Sequence, residues 1–98
     1  MTTQKINIGL VGAGRIGRVH AENIVHRIPN ARLVAVADIF DEVAGKLAAD
    51  FQVPSVFNDY RRVMDDETIE AVLVCSSTET HSEIISAAAV AGKHVFCE

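Results

Sequence analysis

Gly12, Gly14 and Gly17 fall on a G-x-G-x-x-G spacing inside "INIGLVGAGRIGRVH", directly after an apolar run. A loop of this kind presents backbone N–H groups to a pyrophosphate with no side chain in the way. Gly12 would make the tight turn, Gly14 would let the backbone approach the phosphates, and Gly17 would let the following helix pack close to its strand. Ile16 and Arg15 lie within the loop. Arg15 is either a cation beside the pyrophosphate or over an adenine face, or a solvated arginine at a helix start. The bare motif also occurs as a glycine turn that holds nothing, so a second group has to decide. Asp38 is that group. It stands about 20 residues beyond Gly17, at the tip of a second apolar run, where a carboxylate accepts both hydroxyls of an adenosine ribose. Its charge repels a 2′-phosphate, and the neighbouring Ile39 and Phe40 supply no arginine to hold one. The spacing therefore points to NAD rather than NADP.

A second candidate cluster is "CSSTETH", Cys75 to His81. Ser76, Ser77 and Thr78 could hydrogen-bond the nicotinamide-side ribose, and Thr78 or Thr80 could cap the helix that starts there. His81 could shuttle a proton or make a structural hydrogen bond, since a neutral imidazole both donates and accepts. His20 is read as a local packing or hydrogen-bonding residue, His26 and His94 as surface or edge residues, and Arg18 as solvated surface. No set of Ser, His and Asp suggests nucleophilic catalysis, and no residue is assigned a catalytic role. No metal site is expected. Cys75 and Cys97 lack C-x-x-C spacing, and His94 and Cys97, three apart in a strand, point to opposite faces. Both cysteines are read as buried, reduced thiols.

The elements that must position these groups alternate. "KINIGLV" (Lys5–Val11) is a buried strand ended by glycine, and "RIGRVHAENIVHRI" a helix closed by Pro29-Asn30. A second strand covers Leu33 to Ala37, and a helix capped by Asp41 runs to about residue 50. "VPSVFN" is a short third strand and "DYRRVMDD" a short helix capped by Asp59. "IEAVLVCS" is the fourth strand, "TETHSEIISAAAVAGK" a helix stopped at Gly92, and "HVFC" the fifth strand. Buried strands alternating with helices predict an α/β fold, a doubly wound parallel sheet of the Rossmann type with strand order 3-2-1-4-5.

With 98 residues, 49% of them apolar, the chain is one domain, residues 1–98, able to bury a core. A net charge of −4 and no basic cluster argue against a nucleic-acid partner. No apolar run nears the roughly 18 residues of a membrane span, so no membrane partner is expected. "MTTQK" passes straight into a strand-like run without the regions of a signal peptide, which points to the cytoplasm. The chain stops at Glu98, just after the fifth strand. That placement predicts an N-terminal fragment of a longer enzyme, truncated before a sixth strand, with an open edge that invites pairing and homo-oligomers.

Taken together, "GLVGAGRIGRVHAENI", "VAVADIF", "VLVCSSTETHSEII" and "AGKHVFCE" resemble the N-terminal domain of the glucose–fructose oxidoreductase / inositol dehydrogenase (Gfo/Idh/MocA) family along essentially the whole chain. Ser76, Ser77 and Thr78 stand where that family commonly has Thr, Pro and Asn, a variation similar to its inositol 2-dehydrogenase branch. The resemblance implies that Gly12, Gly14 and Gly17 hold the pyrophosphate with Arg15 beside it, and that Asp38 holds the adenine ribose. It implies that Ser76, Ser77, Thr78 and His81 line the nicotinamide end, and that Glu98 is the glutamate of the family's Glu-Lys-Pro. The lysine of that motif, the later Asp/His pair and the second α/β domain are absent from these residues. The implied parent activity is oxidation of a secondary hydroxyl of a cyclitol or sugar with hydride transfer to NAD, and the isolated chain is expected to be inactive. An NAD/NADH-sensing module without chemistry is the alternative. An S-adenosylmethionine-dependent methyltransferase fits less well, because Ile16-Gly17 breaks its usual G-x-G-x-G register.

Overall fold

The apolar, β-branched run Ile6–Val11 forms β1, the central strand. In a computed structural model, which describes residues 5–97 and Thr78 by its backbone alone, β1 is flanked on both sides by parallel neighbours. The remaining elements are α1 (Arg15–Arg27), β2 (Ala31–Ala37), α2 (Asp41–Phe51), β3 (Ser55–Phe57), α3 (Tyr60–Asp65), β4 (Ala71–Val74), α4 (Thr78–Val90) and β5 (His94–Cys97). The strands pair in the order β3-β2-β1-β4-β5, all parallel, so the expected doubly wound sheet is what forms.

Alternation along β1 sends Leu10 to one face of the sheet and Val11 to the other. Leu10 joins Ile24, Leu33, Val36 and Leu47 in the core beneath α1 and α2. Val11 joins Ala35, Val63, Val72, Val74 and Ile84 beneath α3 and α4. In β2 the alternation is interrupted. Ile8 faces Leu33 and Gly9 faces Ala35, so Val34 is an extra residue and the strand carries a bulge. Leu33 and Val36 consequently share the Leu10 face, while Val34, Ala35 and Ala37 pack on the other.

Element ends follow local chemistry, with several departures from the sequence reading. β2 begins at Ala31 rather than Leu33, because Ala31 stands opposite Ile6. Asp41 does not cap α2. Phe40 occupies the N-cap position without a side-chain bond, and Asp41 with Glu42 fills the first turn, where carboxylates meet the positive end of the helix dipole. α2 ends in Gln52, which takes a left-handed conformation (φ 56°). Asp59 caps α3 as expected, its side chain accepting from the Arg61 N–H. The N-cap of α4 is Ser77, so neither threonine caps it. Thr80 instead donates its hydroxyl to the Ser77 carbonyl at 2.9 Å. Past α4, Gly92 is left-handed (φ 76°), the conformation that ends helices at glycine.

Two polar links tie the α3 side together. The Tyr60 hydroxyl donates to Glu83 of α4 at 2.7 Å, and that bond to a carboxylate raises the tyrosine pKa above its usual range. Lys93 reaches back to donate to the carbonyls of Asp66 and Ile69 at 2.7 and 2.8 Å, fastening the turn before β4. In that turn Asp66 accepts from both the hydroxyl and the N–H of Thr68, which holds its carboxyl below the usual carboxylate range.

Candidate functional site

The carboxyl ends of β1, β2 and β4 bring the glycine loop, Asp38 and the "CSSTETH" loop together. Gly12 lies in the left-handed region (φ 99°), which disfavours any side chain. A Cβ there would stand 2.6 Å from the Cys75 carbonyl carbon and the Ser76 nitrogen, so the β1 loop passes directly against the β4 loop. The Gly12 N–H donates to the Ala37 carbonyl at 2.8 Å, which commits it to β2 and leaves Gly12 as a shaping residue. Gly17 is buried in the first turn of α1, and a Cβ on it would overlap the Gly12 carbonyl oxygen. Gly14 differs from both: it is exposed, and nothing lies within 4 Å of where its Cβ would be.

Gly14 is also the N-cap of α1, so the N–H groups of Arg15, Ile16 and Gly17 begin the helix without intrahelical acceptors. α1 has neither a side-chain cap nor an acidic residue in its first turn. Each of the other three helices has one or the other, as Asp41 and Glu42 in α2, Asp59 in α3 and Glu79 in α4. The open donors and the positive helix end at α1 thus face the space beside Gly14 with no side-chain cap or first-turn carboxylate of the helix itself to satisfy them.

Asp38 borders that space. Its Oδ2 accepts from the Ala13 N–H at 2.8 Å and its Oδ1 from the Phe40 N–H at 2.9 Å. Each oxygen keeps a second lone-pair position, so the carboxylate can still accept from a pair of ribose hydroxyls. Ile39 and Phe40 are exposed beside it, 80% and 64% respectively, and no cation is contributed by either. Arg15 is exposed at the loop, whereas Arg18 is tied to α2 by a 2.9 Å ion pair with Asp50 and a contact over the Phe51 ring.

On the β4 side, Ser76 Oγ lies 2.9 Å from the Thr80 hydroxyl, and Ser77 is exposed at the helix start. His81 turns inward. Its Nε2 lies 2.7 Å from the Ser76 carbonyl oxygen, which can only accept, so Nε2 carries the proton. Nδ1 then accepts from the Cys97 thiol at 3.2 Å, and the imidazole bridges the β4 loop to the tip of β5. Cys97 is exposed at that tip and Cys75 half-buried, so the expectation of two buried thiols is corrected. β5 is an edge strand, and Cys97 stands opposite Val74 at its end with no strand on its other side among the described residues. Glu98 lies outside the described residues. Sequence reasoning missed Ala13 and Cys97 as partners. A backbone amide leaves no mark in a sequence, and Cys97 meets His81 only through the pairing of β5 beside β4.

Buried parallel strands, an uncapped helix start behind a glycine turn, and an acidic residue at the tip of the second strand define a doubly wound dinucleotide-binding domain. The family comparison is specific. Residues 6–98 match the model of the Gfo/Idh/MocA oxidoreductase family, NAD-binding Rossmann fold, and the chain belongs to that family as its NAD-binding domain. It is 43% identical over 93 residues to the myo-inositol 2-dehydrogenase of Thermotoga maritima, covering 95% of this chain and 28% of that protein. Among solved structures, the apo scyllo-inositol dehydrogenase of Lactobacillus casei superposes with a TM-score of 0.92 at 36% identity, covering 99% of this chain and 29% of the other. The same enzyme with bound NAD(H) and scyllo-inositol superposes at 0.91 and 35% identity, covering 96% and 28%. The chain therefore spans less than a third of the length of the relatives it matches.

Proposed function

We propose that this chain is the cofactor-holding domain of an enzyme that oxidises a secondary hydroxyl of a cyclitol, in the manner of myo-inositol 2-dehydrogenase. When bound, NAD supplies the chemistry by accepting a hydride. The chain's own residues orient and anchor. The N–H groups of Gly14, Arg15, Ile16 and Gly17 meet the pyrophosphate, with Gly12 and Gly17 shaping the cradle and the Arg15 guanidinium beside it. Asp38 accepts from the adenosine ribose and excludes a 2′-phosphate by charge repulsion. Ser76, Ser77, Thr78 and His81 border the nicotinamide end, together with Glu98. None of these groups is given an acid–base role, and the substrate is held by residues outside this domain.

The observation that carries this reading is the start of α1. It is the one helix start, among the described residues, with neither cap nor carboxylate, and Gly14 leaves the space before it open. Calorimetric titration of the 98-residue chain with NAD, NADP and S-adenosylmethionine tests it. Binding of NAD in preference to NADP is expected. Binding of S-adenosylmethionine without NAD would overturn the reading. With myo-inositol and NAD the chain alone is expected to form no NADH, followed by the absorbance of the reduced nicotinamide, and steady turnover would refute its confinement to cofactor binding.

A further inference from the structure

We propose that Asp38 is also the strut that holds the glycine loop in its anion-binding shape, so that one carboxylate couples ribose recognition to pyrophosphate recognition. The proposal rests on the NAD-binding reading above and adds a positioning role to it.

The glycine loop leaves β1 at Val11 and is attached to β2 at two consecutive amides. Gly12 N–H donates to the Ala37 carbonyl at 2.8 Å, and Ala13 N–H donates to Asp38 Oδ2 at 2.8 Å. The first is a sheet-like backbone bond that any residue at 37 could accept. The second exists only because residue 38 carries a side-chain acceptor. Ala13 is buried, 3% exposed, so its N–H has little water to turn to if that acceptor is lost. The other oxygen of the same carboxylate accepts from the Phe40 N–H at 2.9 Å, which holds the Asp38 side chain itself in one orientation. Asp38 thus spans from its own strand end to the middle residue of Gly12-Ala13-Gly14. Holding the Ala13 amide toward β2 sets the direction in which the chain enters α1, and with it the aim of the free N–H groups at residues 14 to 17.

Electrostatics gives the idea a sign of its own. A carboxylate near a diphosphate repels it, so a neutral residue at 38 should by Coulomb's law alone strengthen diphosphate binding. If Asp38 is a strut, the neutral residue weakens it instead.

The test uses the 98-residue chain, Asp38→Ala, and Asp38→Asn, which keeps one acceptor oxygen and so can serve only one of the two amides. The ligands are NAD and the NAD analogue whose adenosine ribose is 2′,3′-dideoxy and offers Asp38 no hydroxyl. Amide hydrogen exchange at Ala13 is measured without ligand. The strut predicts that Asp38→Ala binds the dideoxy analogue roughly 10-fold or more weakly than the parent chain, the scale of a lost hydrogen bond to a charged group. It also predicts faster exchange at Ala13, with Asp38→Asn intermediate in both. Unchanged or tighter binding of the analogue by Asp38→Ala, or unchanged Ala13 exchange, overturns it. If the parent chain binds neither ligand, the NAD reading fails while Ala13 exchange still decides the strut. Should Asp38→Ala not fold, as judged from its dispersed amide spectrum, Asp38→Asn carries the same comparison.

Discussion

Gly17→Ala and Gly14→Ala differ by one methyl at two positions three residues apart, yet they should fail in different ways. In a helix, glycine to alanine gains about 1 kcal/mol of propensity. At Gly17 that gain is opposed by the overlap of the new Cβ with the Gly12 carbonyl oxygen. Both partners are fixed backbone, so no rotamer can relieve the contact, and α1 must retreat from β1. Overpacking of this kind costs about 1–3 kcal/mol and more where backbone has to move. A net loss of about 2 kcal/mol is expected, which for a domain of this size lowers Tm by roughly 8–16 °C. NAD affinity should fall with it, since the retreat takes the α1 donors away from the cradle. At Gly14 nothing lies within 4 Å, so Gly14→Ala should lose no more than about 1 kcal/mol, the weakness of alanine as an N-cap. Its methyl nevertheless projects beside the open helix start, so NAD affinity should fall steeply while Tm holds. Gly45→Ala in the middle of α2, also with nothing within 4 Å, isolates propensity and should raise stability by about 0.5–1 kcal/mol. Urea unfolding and NAD titration of the three variants supply the comparison. A Gly17→Ala chain as stable as Gly45→Ala would refute the close approach of α1 to the turn.

Other expectations concern the frame. Leu47→Ala, at a fully buried side chain beneath α2, should cost about 2–5 kcal/mol in urea unfolding. Thr68→Ala removes the hydroxyl that helps depress the Asp66 carboxyl. Because the folded value lies below the unfolded one, that stabilisation is present above about pH 3.9 and lost as pH falls through the folded value. The variant should therefore be less stable than the parent by up to about 1 kcal/mol near neutral pH, with partial solvent exposure keeping the figure small, and the gap should close in acid. Phe96, 62% exposed on edge strand β5, should promote association at high concentration. Light scattering should report larger species that Phe96→Lys returns to monomer.

The order of elements was legible because glycines and prolines punctuate the chain and the strands are apolar almost throughout. Asp59 and Gly92 were legible as helix signals because a side-chain acceptor before a helix and a glycine after it act locally. The α2 and α4 starts were not, since their caps depend on what neighbouring groups do. Asp38, by accepting from Phe40 N–H, serves the entry to α2 from three residues ahead, and Thr80 bonds backward to Ser77 rather than forward. The candidate site divides the same way. Glycine spacing and the Asp38 position are sequence features, whereas the Ala13 amide, the proton on His81 Nε2 and the reach of Cys97 to that ring require three-dimensional neighbours.

The bulge at Val34 bears on how such a site is counted. With strict alternation from Leu33 through Val34, residue 38 would fall on the face away from Leu10 and Ala13; the bulge, which puts Val34 and Ala35 on one face, restores it. What places the carboxylate is therefore a matter of phase rather than of distance along the chain. Deleting Val34 would remove the bulge and leave Leu33 to Asp38 in regular alternation, so Asp38 would keep its face although the glycine-to-aspartate spacing is one residue shorter. A single deletion among Ala35, Val36 and Ala37 with the bulge retained would instead turn Asp38 over, so the same loss of one residue has opposite consequences at the bulge and beyond it.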